Sequence, residues 1–263
     1  MWMLQLIIKP TSGLTFRRMP SSILHINTYP FLPPTTMSGF LRRLKMLEAG
    51  HLPETAVKDP DYYALPPQLC TLGAYPKLNE HRIHTTKRQG IRSFNHNAFS
   101  RIVRHQSTKE VYQLHTWEYL FAEQLIGYVV SEDEKLLSQL KTIENFGCKI
   151  GKEGYAFVGM VSGPTQLVLE QMQAKPDTLL PGAALIGIPC EAFPLYRYAW
   201  GTGALQNTNL THPEPSAIKG FIPFVAGEVR DGIELDYYSD GEHYLPKLFI
   251  DELMGGVENG RKE

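Results

Sequence analysis

Apolar spacing defines one helix early in the chain. Met37, Phe40, Leu41, Leu44 and Leu47 recur at i, i+3, i+4, i+7 and i+10, which predicts a helix with a single buried stripe. Before it, Ile26 to Leu32 is extended and aromatic, Pro33-Pro34 stops the extension, and Thr35 or Thr36 offers a hydroxyl N-cap; Gly50 supplies the stop. Ser38, Arg42 and Lys45 share another face of this helix, with Arg43 beside them. That face is either an ordinary solvated cationic surface or, with the helix's N-terminal amides, a seat for an anion.

The remaining pattern predicts strands around two helices. Met3 to Lys9 reads as a mostly buried strand, Pro10 to Gly13 as a turn, and Arg17-Arg18 as lying at or near a strand edge. His51 to Pro76 is proline-rich and irregular, with short strand pieces such as Gln68 to Leu72. Val111 to Val130 is aromatic and β-branched, and predicts two strands or one bent strand. Ser131 with Glu134 forms a capping box for a helix from Glu132 to Phe146, whose stripe is Leu136, Leu137, Leu140 and Ile143. After Gly147, the glycine-spaced basic loop around Lys149, Gly151, Lys152 and Gly154 leads into a strand. It is either a tight connection or a phosphate cradle. Gln166 to Gln173 predicts a short helix. Ala184 to Ile188, Phe221 to Val225, Gly232 to Tyr238 and Tyr244 to Phe249 predict strands, followed by a frayed tail from Gly255.

Charge changes the picture between Lys77 and Glu110. There Lys77, Arg82, Lys87, Arg88, Arg92, Arg101, Arg104 and Lys109 face only Glu80 and Glu110, with partial apolar alternation, as in a long hairpin arm. The arm is either an exposed basic loop without a ligand or a phosphate-contacting surface, with Phe94 or Phe99 able to stack on a base. The whole chain of 263 residues carries a net charge of only −1, so any cationic site must be local. No apolar run approaches the roughly 18 residues that span a bilayer, and the N-terminus lacks signal-peptide anatomy, so a cytoplasmic protein with no membrane partner is expected. Three scattered cysteines give neither a disulfide framework nor a zinc ribbon. His81 and His84 are poorly spaced for a metal, and no nucleotide-loop or hydrolase motif occurs; no cofactor is expected.

The run Gly13-Leu-Thr-Phe-Arg-Arg18, then Tyr29-Pro30, then Pro33-Pro-Thr-Thr-Met-Ser-Gly39-Phe-Leu41 resembles the N-terminal signature of a CRISPR-associated family. This is the fifth Cas family of the RAMP superfamily, the Cascade subunit that holds the five-prime handle of the guide RNA. The resemblance covers about the first fifth of the chain well and the rest loosely.

It implies an α+β fold: a ferredoxin-like βαββαβ core over residues 1–163, a basic thumb at about 77–110, and a smaller β-rich subdomain over 164–263. It implies a non-catalytic RNA-binding subunit of a type I effector that caps the backbone filament in antiviral DNA interference, with type I-D as the favoured branch. Its partners would be the crRNA handle, the backbone and large subunits, and target DNA in the assembled complex. Arg17, Arg18, Thr36, Ser38, Arg42, Arg43 and Lys45 would line the handle site, Lys149 and Lys152 would close it, and Lys87, Arg88, Arg92, Arg101 and Arg104 would lie along the arm. Some relatives cleave guide precursors without metal. The alternative is therefore a metal-independent endoribonuclease using Tyr112, Lys109, His105 or His115.

Overall fold

Met3, Leu4, Leu6 and Ile8 are all buried, which puts the first strand at the middle of a sheet. The computed structural model describes residues 1–19, 25–52, 54, 60–77, 80–91, 112–201, 204, 208–211 and 218–258. The elements of the first part are β1 (Trp2–Pro10), β2 (His25–Ile26), α1 (Pro34–Glu48), a single turn α2 (Pro60–Tyr63), β3 (Cys70–Pro76), β4 (His81–Ile91) and β5 (Tyr112–Ala122). They continue with β6 (Leu125–Ser131), α3 (Glu134–Ser138), a 3-10 stretch Gln139–Ile143, β7 (Gly147–Lys149) and β8 (Tyr155–Val161).

Strands β3, β6, β1 and β8 lie side by side in that order, each antiparallel to its neighbour, with β7 beyond β8. Helix α1 follows β1, and α3 follows β6. This is the ferredoxin-like βαββαβ order, two split βαβ units interleaved in one sheet. The antiparallel pair β4 and β5 is inserted between β3 and β6 and projects from the core, joined on one side by β2, which runs parallel to β5. The expected arm is therefore an antiparallel pair rooted in the core; Arg92, Arg101 and Arg104 lie outside the described residues.

Helix α1 packs on the sheet through Met37, Phe40, Leu41 and Leu44, all buried as the periodicity predicts. Gly127 on β6 permits this approach, since a Cβ there would stand 2.7 Å from Met37 Cε. The helix begins differently from expectation. Pro33 is its N-cap, without a side-chain hydrogen bond, and Pro34 occupies the first turn, where its missing N–H costs nothing. Ala49 ends the helix, and Gly50 follows at φ 76°. The second helix is capped by Asp133, whose Oδ1 accepts from Lys135 N and Leu136 N, while Ser131 Oγ accepts from Asp133 N. It tightens into the 3-10 stretch at Gln139 and stops well short of Phe146.

The second part contains β9 (Thr165–Gln166), β10 (Val168–Ala174), β11 (Leu180–Pro181), β12 (Glu191–Trp200), β13 (Ile218–Glu228), β14 (Ile233–Ser239), β15 (Tyr244–Pro246) and α4 (Lys247–Glu258). They form two three-stranded sheets, β10-β14-β15 and β11-β13-β12, while β9 returns to pair with β1. The helix expected at Gln166 to Gln173 is thus strand, because Val168 to Ala174 pairs residue for residue with β14. The strand expected at Tyr244 to Phe249 turns into α4 after Pro246, and the strand expected at Ala184 to Ile188 is a short turn. One hydrophobic cluster joins both parts, placing Phe193, Leu195, Leu245 and Phe249 with Leu6, Leu41 and Leu72. No helix among the described residues is long and apolar enough to cross a membrane.

Candidate nucleic-acid interface

The side of α1 that the sequence leaves cationic is covered by the second part of the chain near Thr35 and Arg42 and by the 3-10 stretch at Lys45. Arg42 is 1% exposed, the largest of the fully buried side chains among the described residues, and its Nη1 donates to the carbonyl of Asn209. Lys45 is 5% exposed and donates from Nζ to Glu48 Oε2 at 2.7 Å and to Thr142 Oγ1 at 2.6 Å. Ser38 is buried and accepts from Leu65 N at 2.9 Å, while Tyr198 on β12 donates to the carbonyl of Thr35 at 3.1 Å. Ser38, Arg42 and Lys45 therefore do not meet a polynucleotide from this face. A guanidinium or ammonium this deep tolerates desolvation only because protein acceptors receive its hydrogen bonds.

Arg43 points elsewhere. With Gly39, Tyr63, Lys149, Ile150 and Gly151 it lines a shallow groove of about 180 Å³ between α1 and the turn leaving β7. Burial pushes the Cys148 thiol up to about 11, and the Arg43 guanidinium acts against that rise. At Tyr63 burial raises the hydroxyl and Arg43 again opposes it, so the same charge is felt on both walls. Lys149 and Lys152 are exposed on the turn. Thr36 is half-buried in the first turn of α1.

The turn is held by glycines that leave no room for a side chain. Gly151 has φ 65°, and a Cβ there would lie 2.7 Å from both Phe16 Cδ1 and the Thr15 carbonyl; Gly154 has φ 119°, with Leu14 Cδ2 at 2.5 Å. Lys152 N donates to the Thr15 carbonyl, Thr15 N to that of Glu153, and Ile150 N to that of Gly154. The Ile150 amide thus closes the turn on itself, and the Lys152 amide docks it against Thr15. The turn offers a ligand its lysine side chains, not an amide cradle at these two positions.

Glu153 ties the turn to the arm. Arg88 Nη1 donates to both Glu153 carboxylate oxygens at 2.9 Å and to Tyr119 OH at 2.8 Å, while Tyr119 OH donates to Glu153 Oε2 at 3.0 Å. The Arg88 guanidinium lies over the Trp117 ring, 4.9 Å from its centre. The Glu153 hydrogen bond is the main reason the Arg88 guanidinium holds its proton more tightly than usual. Arg88 is half exposed but paired, so it is not the free phosphate contact expected of it.

The register of β4 against β5 sets which residues share a face. Arg82 opposes Phe121, His84 opposes Tyr119, Thr86 opposes Trp117 and Arg88 opposes His115. Trp117 and Tyr119 rings stack at 6.4 Å with 21° between their planes, and His84 meets Phe121 edge-on at 6.3 Å. This face combines aromatic rings with cations. Lys87 opposes Thr116 on the other face, exposed. His81 and His84 fall on opposite faces of β4.

Arg17 is half-buried in a segment bridged to Thr28. Arg18 turns toward β12, where its guanidinium lies 4.9 Å from the centre of Phe193 and 3.7 Å from Glu191. The structure thus gathers Arg43, Lys149 and Lys152 around one turn, joins that turn to the arm, and removes Ser38, Arg42 and Lys45 to the interior. Sequence reasoning missed Trp117, Tyr119, Phe121 and Glu153. Their signal was available: three aromatics at i, i+2 and i+4 beside a basic strand lie on one face if paired with it.

No family model and no curated protein matches this chain. Among solved structures, similar chains include one from the type III-B Cmr-beta bound to cognate target RNA and AMPPnP, at 12% identity and TM-score 0.46, over 88% of this chain and 86% of that one. Another is a CRISPR protein from Archaeoglobus fulgidus, at 12% identity and TM-score 0.40, over 92% of this chain and 97% of that one.

Proposed function

We propose that this chain is a non-catalytic RNA-binding subunit of a type I CRISPR effector complex, seating the five-prime handle of crRNA and capping the backbone filament. The observation that carries the reading is the gathering of Arg43, Lys149 and Lys152 around a turn that also anchors the arm through Glu153 and Arg88. A near-neutral protein otherwise has little to attract a polyanion, and a local cluster of unbalanced cations supplies that attraction. The N-terminal resemblance in residues 13–41 supports the family assignment, with type I-D as the favoured branch. The ferredoxin-like core with a hairpin inserted between β3 and β6 suits a subunit that grips a strand between its body and its arm.

The handle phosphates then lie along the Arg43 groove and the Lys149 and Lys152 turn. The arm crosses the strand near its first guide nucleotides, where target DNA would arrive in the assembled complex. The test is co-purification of guide RNA with the full chain expressed beside the other subunits. Replacing Arg43, Lys149 and Lys152 together with glutamate is expected to abolish RNA recovery while the circular dichroism spectrum and melting temperature stay close to wild type. Undiminished RNA recovery would overturn the assignment.

A further inference from the structure

We infer that the arm's root carries a stacking site for unpaired bases of single-stranded RNA, with Phe121 and the Arg88 guanidinium as its two platforms. This rests on the RNA-binding reading and gives that site its ligand class. Phe121 is 47% exposed although its ring lies against the backbone of Gly13, where an added Cβ would stand 2.8 Å from the ring. The ring is thus supported from beneath while remaining open to solvent. Arg88 is also 47% exposed by side chain, with the Trp117 ring at its back and Glu153 and Tyr119 fixing its plane. A guanidinium held flat against an indole presents a second preorganised planar surface, and preorganisation removes the ordering cost that weakens flexible contacts.

Geometry separates this surface from a duplex-binding one. Trp117, which backs Arg88, and Phe121 are four residues apart on one face of β5, so the two platforms stand on the order of 13 Å apart, several times the ~3.4 Å rise of stacked nucleotides, and receive bases splayed from one another. Paired bases cannot reach these rings, and single-strand recognition by stacking tolerates sequence because every base has a flat face. Charge selects the same occupant. Arg82 stands across from Phe121 at the root end of the face, and Lys152 adjoins Glu153, the partner of Arg88, so each platform has a cation near it to meet a phosphate backbone.

The test compares two labelled probes by fluorescence anisotropy on the full chain: an oligouridine of about ten nucleotides, and an abasic ribose-phosphate oligomer of the same length and charge. Wild type is expected to bind the oligouridine about tenfold or more tightly than the abasic probe. Phe121→Leu, which keeps an apolar side chain over Gly13, is expected to remove most of that difference and leave abasic binding unchanged. The same uridine strand annealed into a duplex is expected to bind like the abasic probe. Equal affinity of wild type for the two single strands, or an equal loss of both in Phe121→Leu, overturns the stacking site and leaves the RNA-binding assignment standing. Failure of wild type to bind either probe overturns both.

Discussion

Glu153 and Arg88 are 65 positions apart in the chain, yet both carboxylate oxygens of the first lie 2.9 Å from Nη1 of the second. A carboxylate in the middle of a cationic surface opposes phosphate binding, so its presence needs another reason. The contact supplies one, since it fixes the guanidinium against Trp117 and joins the arm to the Gly151 turn.

Glu153→Gln removes the charge and keeps one acceptor. Abasic ribose-phosphate probe is expected to bind about threefold more tightly at low salt, because a repulsive charge is gone. The preference for oligouridine over that probe is expected to shrink, because Arg88 is no longer held flat. Anisotropy titrations at two salt concentrations measure both changes, and an unaltered preference would show that Glu153 does not position Arg88.

Adjacent arginines on α1 are expected to behave oppositely. Arg42→Ala leaves the Asn209 carbonyl without its donor and opens a large void, at a cost of about 3 kcal/mol in urea unfolding, while RNA affinity per folded molecule is retained. Arg43→Ala is expected to change stability by less than about 0.5 kcal/mol and to lower the slope of log affinity against log salt by about 0.7. Equal stabilities of the two variants would contradict their placement.

The origin of this contrast marks where the sequence stops being informative. The stripe of Met37, Phe40, Leu41 and Leu44 identifies one buried face of α1, and its spacing alone predicts it. Nothing local in Ser38, Arg42 and Lys45 reveals that β12 and residues near Asn209, over 150 positions later, cover the first two, or that Thr142 meets the third. The aromatics of β5 were legible as strand residues, but which of them share a face with Arg88 depends on the pairing register with β4. Likewise Val168 to Ala174 carries a weak local pattern, with Val168 and Leu169 both exposed, and only its pairing with β14 decides that it is a strand.

The three thiols are expected to separate by reactivity. Burial pushes the Cys70 thiol up to about 12 and the Cys148 thiol up to about 11, while Cys190 is exposed. At pH 8 the native protein is expected to react quickly with iodoacetamide at one site, with Cys190 carrying the label by peptide mass, and slowly at the other two. Rapid labelling of Cys148 would mean that the groove beside Arg43 is more open than described.

Acid stability is expected to depend on Asp240. Burial pushes its carboxyl up, but hydrogen bonds from the backbone and ring of His243 and from Glu242 N outweigh this and leave it below the usual carboxylate range. A depressed carboxyl stabilises the fold above its unfolded-state value, about 3.9, and loses that contribution as pH falls through the lower folded-state value. Asp240→Asn is therefore expected to unfold at lower urea than wild type at pH 7, with the gap closing as pH drops below about 4. A gap independent of pH would assign the effect to packing. The same His243 ring meets Gln5 Nε2 at 2.9 Å, so the contact joins the β14–β15 turn to the central strand of the first sheet.

The strands that flank the arm pair directly with each other, from Cys70 with Val130 down to Pro76 with Leu125. The chain thus leaves and re-enters the sheet at neighbouring points, and everything between is a detour. Such an appendage lengthens or shortens at the modest expense of loop closure, without shifting the registers beneath it. Its reach is free to change while the body that anchors it keeps one geometry.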